Sequence, residues 1–144
     1  MLTVKRLSSD EARILIAGAA AKANEQGVPQ CIAVTDESGY LIDFSRMDGG
    51  KISSISIAID KAFTSAVARK GTHIYGELCQ SGKPTFGIHI TNGGHFSIIG
   101  GGLPVTVEGE IVGGVGISSG TAEQDLIVAE AALKHFYATT GYKA

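Results

Sequence analysis

The sequence predicts an α+β domain in which a single antiparallel sheet of five strands is flanked by helices. Three observations carry this. Two segments open with capping boxes, Ser8-Ser-Asp-Glu11 and Thr121-Ala-Glu-Gln124, and continue with apolar residues at helical spacing. Between them, short apolar runs are joined by brief connections with turn chemistry, Asp36-Glu-Ser-Gly39 and Glu108-Gly109, which favour antiparallel pairing. The 144 residues contain no repeat, low-complexity stretch or linker, and fit one domain spanning 1–144 with one core.

The elements follow in order. The first helix carries Ala12, Leu15, Ile16, Ala19, Ala20 and Ala23 on one face, and Gly27 and Pro29 end it. Cys31 to Thr35 is a short apolar strand. The strand returning from the Asp36–Gly39 turn alternates Tyr40, Ile42 and Phe44 with Leu41, Asp43 and Ser45. After the Met47–Gly50 turn, a long helix is predicted from about Ser53 to Arg69. Its main apolar stripe is Ile55, Ile59, Ala62, Phe63 and Ala66. A second stripe of small residues, Ser54, Ala58, Ser65 and Ala68, has Lys61 in its middle. Thr72 opens a short helix ending near Gly82, and 83–94 is irregular. Strands are predicted at 95–99, 103–107 and 111–118. The final helix carries Leu126, Ala129, Leu133 and Phe136 on one face and stops near Gly141.

Composition excludes several function classes. Apolar residues are 44% and charged residues 18%, a balance that points to a homo-oligomer. The net charge of −2 and the lack of any Lys/Arg run give no footprint for nucleic acid. No apolar run approaches membrane-spanning length, and the N-terminus lacks the order of a signal peptide, so a cytoplasmic location is expected. Cys31 and Cys79 form no C-x-x-C pair, and Cys31 reads as a buried reduced thiol.

The glycine-rich stretch from Gly100 to Thr121 is the strongest local signal. Seven glycines fall between Gly100 and Gly116, interleaved with Val, Ile and Leu. Glycine inside a strand pattern marks close approach by a helix, a subunit or a ligand. The stretch leads into a helix N-terminus at Thr121, where a polar or anionic small molecule can be held. Gly114-Val-Gly116 with Gly120 has the wrong spacing and no following strand for a dinucleotide site, and Gly82-Lys83 lacks a phosphate loop, so no nucleotide cofactor is expected. Ligands at metal spacing are lacking, so no metal site is expected. His73, His89 and His95 are either polar loop residues or site groups; His89 and His95 flank Thr91-Asn-Gly-Gly94. Arg46 and Asp48 form either a polar corner or a local ion pair. Lys61 is solvated, at an interface, paired with a carboxylate, or in contact with a ligand anion. Asp125 is accounted for by the dipole of the last helix.

These residues resemble the GlcG/HbpS family, which includes the C-terminal domain of PduO-type corrinoid adenosyltransferases. The resemblance rests on Ala33-Val-Thr-Asp36, Gly39, Arg46-Met-Asp-Gly49, Ile57-Ala-x-x-Lys61-Ala62, Gly101-Gly102-x-Pro104, Gly109-Glu-x-Val-Gly-Gly-Val-Gly116 and Gln124-Asp125, and runs from about residue 8 to 138. It implies a five-stranded, profilin-like fold, assembly into homo-oligomers, and haem binding or degradation. The 144 residues do not include an adenosyltransferase domain, so the resemblance does not imply cobalamin adenosylation for them.

Two readings of the ligand site follow, with a non-catalytic accessory oligomer as a third. In the first, haem or another tetrapyrrole is bound with His73, His89 or His95 as axial ligand and Lys61 or Arg46 on a propionate. In the second, the chain is a small-molecule catabolic enzyme, lyase- or isomerase-like, holding a carboxylate with Lys61, Arg46 and Thr121 while a histidine moves protons. In either case Arg46, Asp48, Lys61, Gly100, Gly101, Gly102 and Thr121 are the expected ligand-binding set, with Lys61, Arg46 and 100–102 lining one pocket, within one chain or shared between subunits, and His73, His89 or His95 near its mouth.

Overall fold

The computed structural model describes residues 1–144. Helix α1 spans Ser9–Gln26, followed by strands β1 (Cys31–Asp36) and β2 (Leu41–Arg46). Helices α2 (Ser54–Ala68) and α3 (Thr72–Leu78) come next, then two single 3-10 turns at Ile88–Ile90 and Asn92–Gly94. Strands β3 (Gly102–Val107) and β4 (Glu110–Ser118) and helix α4 (Ala122–Thr140) complete the chain. No helix is long and apolar enough to cross a membrane.

Both long outer helices are bounded as their sequences dictate. Ser8 Oγ accepts from the Glu11 N–H at 3.2 Å while Glu11 Oε2 accepts from the Ser8 N–H at 2.7 Å. Thr121 and Gln124 repeat the exchange at 3.1 and 3.0 Å. Each such box satisfies two donors that the first helical turn leaves free. The first hairpin closes on Asp36, whose Oδ1 accepts from the N–H groups of Ser38 and Tyr40. The second closes on Glu108 and Gly109, both left-handed at φ 52° and 78°. That pairing gives the reverse twist a two-residue hairpin needs.

The sheet is antiparallel throughout, in the order β2-β1-β4-β3. It has four strands, not five. Residues 95–99 were expected to pair, but their backbone is bound to α2 instead. The Thr64 hydroxyl donates to the His95 carbonyl at 3.2 Å and accepts from the Ser97 N–H at 2.8 Å. Phe96 is buried edge-on against Tyr75 of α3. Left-handed Gly93 and Gly94 just upstream turn the chain away from an extended path.

One face of the sheet carries the main core, in which Ile32, Val34, Val105, Val115 and Ile117 meet Leu15 and Ala19 of α1 and Val128, Ala132 and Phe136 of α4. The other face is nearly featureless. Register places Ala33, Gly116 and Gly102 in one row across three strands, and Thr35, Gly114 and Pro104 in the next. Helix α2 lies on these rows with its small residues: Ser54, Ala58, Lys61 and Ser65 of the second stripe are covered, as are Ala62 and Ala66 of the main stripe, while Ala68 is half-buried. The stripe of larger residues, Ile55, Ile59 and Phe63, is only half-buried. The reason is steric. A helix can rest its backbone on glycine only where its own side chains are small.

Candidate functional site

The glycine signal resolves into helix packing. A Cβ on Gly116 would collide with the Ala58 carbonyl, one on Gly114 with the Ala62 carbonyl, and one on Gly102 with the Lys61 carbonyl. The close approach that the sequence demands is therefore made by α2. Gly100 is buried against His73 and Ala122, so the 100–102 segment is closed by protein atoms.

Lys61 reaches from the buried face of α2 past β4 towards α4. Its Nζ donates to the Ile117 carbonyl at 2.8 Å and to Asp125 Oδ2 at 2.9 Å, with the two side chains 1% and 2% exposed. Asp125 Oδ1 also accepts from the Gly120 N–H at 3.0 Å. Gly101, at φ 125°, leaves room for the ammonium group; a side chain there would stand 3.0 Å from Nζ and crowd Asp125. Burial lowers the lysine's proton affinity from its ordinary value, and the Asp125 charge opposes that shift. Of the four environments open to Lys61, the structure selects pairing with a carboxylate. The pair joins α2, on one face of the sheet, to α4 on the other.

The remaining expected residues are dispersed. Arg46 and Asp48 line a cleft of about 580 Å³ with Asn24, Pro29 and Met47. That cleft does not include Lys61 or the 100–102 segment, so the three expected elements do not share it. Thr121 is occupied by its own capping box. His73 is half-buried, and its Nδ1 has no hydrogen-bond partner. His89 Nδ1 stands 3.2 Å from Cys79 Sγ.

His95 is the histidine with the most developed setting. Its Nδ1 lies 2.8 Å from Asp60 Oδ1, and its backbone is held by Thr64. It lines a largely apolar cleft of about 340 Å³ with Gly39, Ser56, Ile59, Asp60 and Phe63. A carboxylate on one ring nitrogen fixes the ring and leaves Nε2 as the nitrogen free to bind a metal or move a proton. Asp60 and Cys79 are the partners that sequence reading missed. They stand 35 and ten residues from their histidines, separations with no recognisable spacing signal.

A family model described as "Haem degrading protein HbpS-like" matches residues 7–134. An uncharacterized 15.0 kDa protein from the dhaT-dhaS intergenic region of Citrobacter freundii is 41% identical over 116 residues, covering 81% of this chain and 82% of that one. The crystal structure of Klebsiella pneumoniae ORFY superposes with a TM-score of 0.93 at 34% identity, over 96% of this chain and 95% of that one. A crystal structure of a PduOC–haem complex superposes with a TM-score of 0.86 at 28% identity, over 90% and 94%. The matched span contains the Ala33–Gly116–Gly102 row, the Lys61–Asp125 pair and the His95 cleft, and the chain belongs to the HbpS-like family.

Proposed function

We propose that this chain binds haem or a related tetrapyrrole, with His95 as the axial ligand, in a homo-oligomer that forms one domain per chain. The observation that carries the reading is the Asp60-held imidazole at the edge of an apolar cleft. The donor set fits the group: haem, when bound, supplies a redox-active iron with an axial position for imidazole, and a carboxylate behind the ring strengthens such a ligand. Ile59 and Phe63 offer the apolar surface that a macrocycle needs. The haem held by PduOC and the description of the family model support the same reading. Degradation of the bound group is the further step named in that description; binding is the part that these side chains carry.

Assembly belongs to the proposal. Tyr40, Ile52, Phe86 and Ile90 are each more than two-thirds exposed, an apolar surplus that a second copy would cover. The cleft is small for a macrocycle, so the rest of its wall would come from that copy. A cytoplasmic location goes with this reading, supported by the two free thiols.

Haem titration followed by absorbance tests it. The wild type is expected to develop a Soret band that saturates, His95→Ala to lose the ligated spectrum, and Asp60→Asn to weaken it. Equal spectra for the wild type and His95→Ala would remove His95 from the site, and no band in any of them would end the haem reading. Light scattering at micromolar concentration tests assembly, and a monomer mass would refute it.

A further inference from the structure

The chain holds two free cysteines and gives them opposite partners. Cys31 is fully buried in β1, and its thiol donates to the Lys51 carbonyl at 3.6 Å. Burial pushes that thiol's proton affinity up, against the opposing charge of Arg46. A carbonyl oxygen can receive the thiol hydrogen bond but cannot take the proton away. Cys79, at the C-terminal end of α3, instead has its sulfur 3.2 Å from Nδ1 of His89, and it is 8% exposed. The histidine itself is exposed. An imidazole nitrogen at that distance is a proton acceptor. A sulfur nucleophile and a nitrogen base in hydrogen-bond reach form the minimal unit of an activated thiol.

The local chain builds this contact on purpose-shaped backbone. α3 stops at Leu78, and the Thr85 N–H returns to the Leu78 carbonyl at 3.2 Å, closing a loop directly beside Cys79. The Thr85 hydroxyl is buried there without a partner, a polar atom that nothing in the chain uses. Gly87, left-handed at φ 90°, then starts the 3-10 turn that carries His89 back over the sulfur. This loop lies outside the His95 cleft, whose walls come from α2, Gly39 and His95 itself.

We infer that Cys79 and His89 form a nucleophilic dyad that traps soft carbon electrophiles, such as α,β-unsaturated carbonyl compounds. In that step the sulfur lone pair forms the C–S bond at the β-carbon, and the thiol proton passes to His89 Nδ1. The displaced C=C electron pair moves onto the carbonyl as an enolate, which collects a proton at the α-carbon from the imidazolium. No oxidant or reductant is needed. The step requires the histidine tautomer with its hydrogen on Nε2, the tautomer in which Nδ1 can accept from the thiol.

Alkylation by iodoacetamide tests the dyad in the ligand-free full chain. With this probe the same C–S bond forms and iodide leaves with the electron pair of the C–I bond. Peptide mass spectrometry reads each cysteine separately, so Cys31 is an internal control, and labelling in urea normalises both sites. At neutral pH, Cys79 is expected to react at least about tenfold faster than Cys31 in the folded protein, and His89→Gln to slow Cys79 by about tenfold, the low end of general-base effects. Imidazole added to His89→Ala is expected to restore part of the rate. An unchanged or faster Cys79 rate in His89→Gln would overturn the proposal, because access alone would then govern the reaction. So would equal labelling of the two cysteines in the folded wild type.

Discussion

Lys61 Nζ and Asp125 Oδ2 lie 2.9 Å apart with almost no exposure to water, and they come from helices on opposite faces of the sheet. Both charges were taken out of solvent to make this contact, so neither tolerates losing the other. Lys61→Ala or Asp125→Ala is expected to cost about 3–5 kcal/mol, because each leaves a buried charge uncompensated. Replacing both with apolar residues of similar volume is expected to cost much less than the sum. Urea unfolding of the single and double variants reads this directly. Affinity for an anionic ligand in the folded fraction of Lys61→Ala is expected to be unchanged, since the ammonium group is already satisfied.

Gly116→Ala is expected to destabilise the protein by about 3 kcal/mol or more, at the upper end for an overpacked interior. The new methyl meets the Ala58 carbonyl and the Ala62 backbone, neither of which can swing aside. Gly109→Ala provides the contrast. It faces open space, and only its φ of 78° resists a side chain, so a cost of about 1 kcal/mol is expected. Thermal unfolding of the two variants side by side separates collision from backbone conformation.

Gln30 is fully buried, and neither its Oε1 nor its Nε2 has a partner. An unsatisfied buried amide costs about 1–3 kcal/mol. Gln30→Met keeps the volume and removes both polar atoms, so its melting temperature is expected to rise. A lower melting temperature would mean that bound water pairs the amide in solution.

Arg6 grips Glu37 through two nitrogens, Nε at 2.8 Å and Nη2 at closer range, and holds its carboxyl down at about 2. A carboxyl with a depressed folded-state value adds stability above its ordinary value of 4.5, and that stability fades as pH falls towards about 2. Arg6 is about half exposed, so solvent screening keeps the contribution small. Glu37→Gln is expected to flatten the stability–pH curve in that acid window and leave its slope near pH 7 unchanged.

Most of the fold was legible because local chemistry decided it. The capping boxes at Ser8 and Thr121 and the turns at Asp36–Gly39 and Glu108–Gly109 formed where their residue types required. The fifth strand failed because periodicity cannot reveal a competing partner: Thr64, about thirty residues upstream, takes the hydrogen bonds that 95–99 would have offered to a neighbour. The stripes of α2 illustrate the same limit. Ile55, Ile59 and Phe63 look like the buried face by hydrophobicity, yet glycine on the opposing strand rewards the smaller face. The candidate site was the least legible part. Lys61 stands out in the sequence as a lone cation among small residues, but its partner is 64 residues away, and the Asp60 that supports His95 carries no signature of its own.

Because α2 rests on strand backbone, its angular setting about its own axis is locked. Lys61 and Asp60 are successive residues, about 100° apart around the helix. The first is anchored inward to Asp125, and the second faces outward to His95. Roll in either direction would lift Lys61 off its carboxylate and swing Asp60 off the imidazole together. The aim of the outer histidine is thus geared to a contact buried on the inner face of the same helix, and a substitution in the interior would be read at the surface as a misdirected ring.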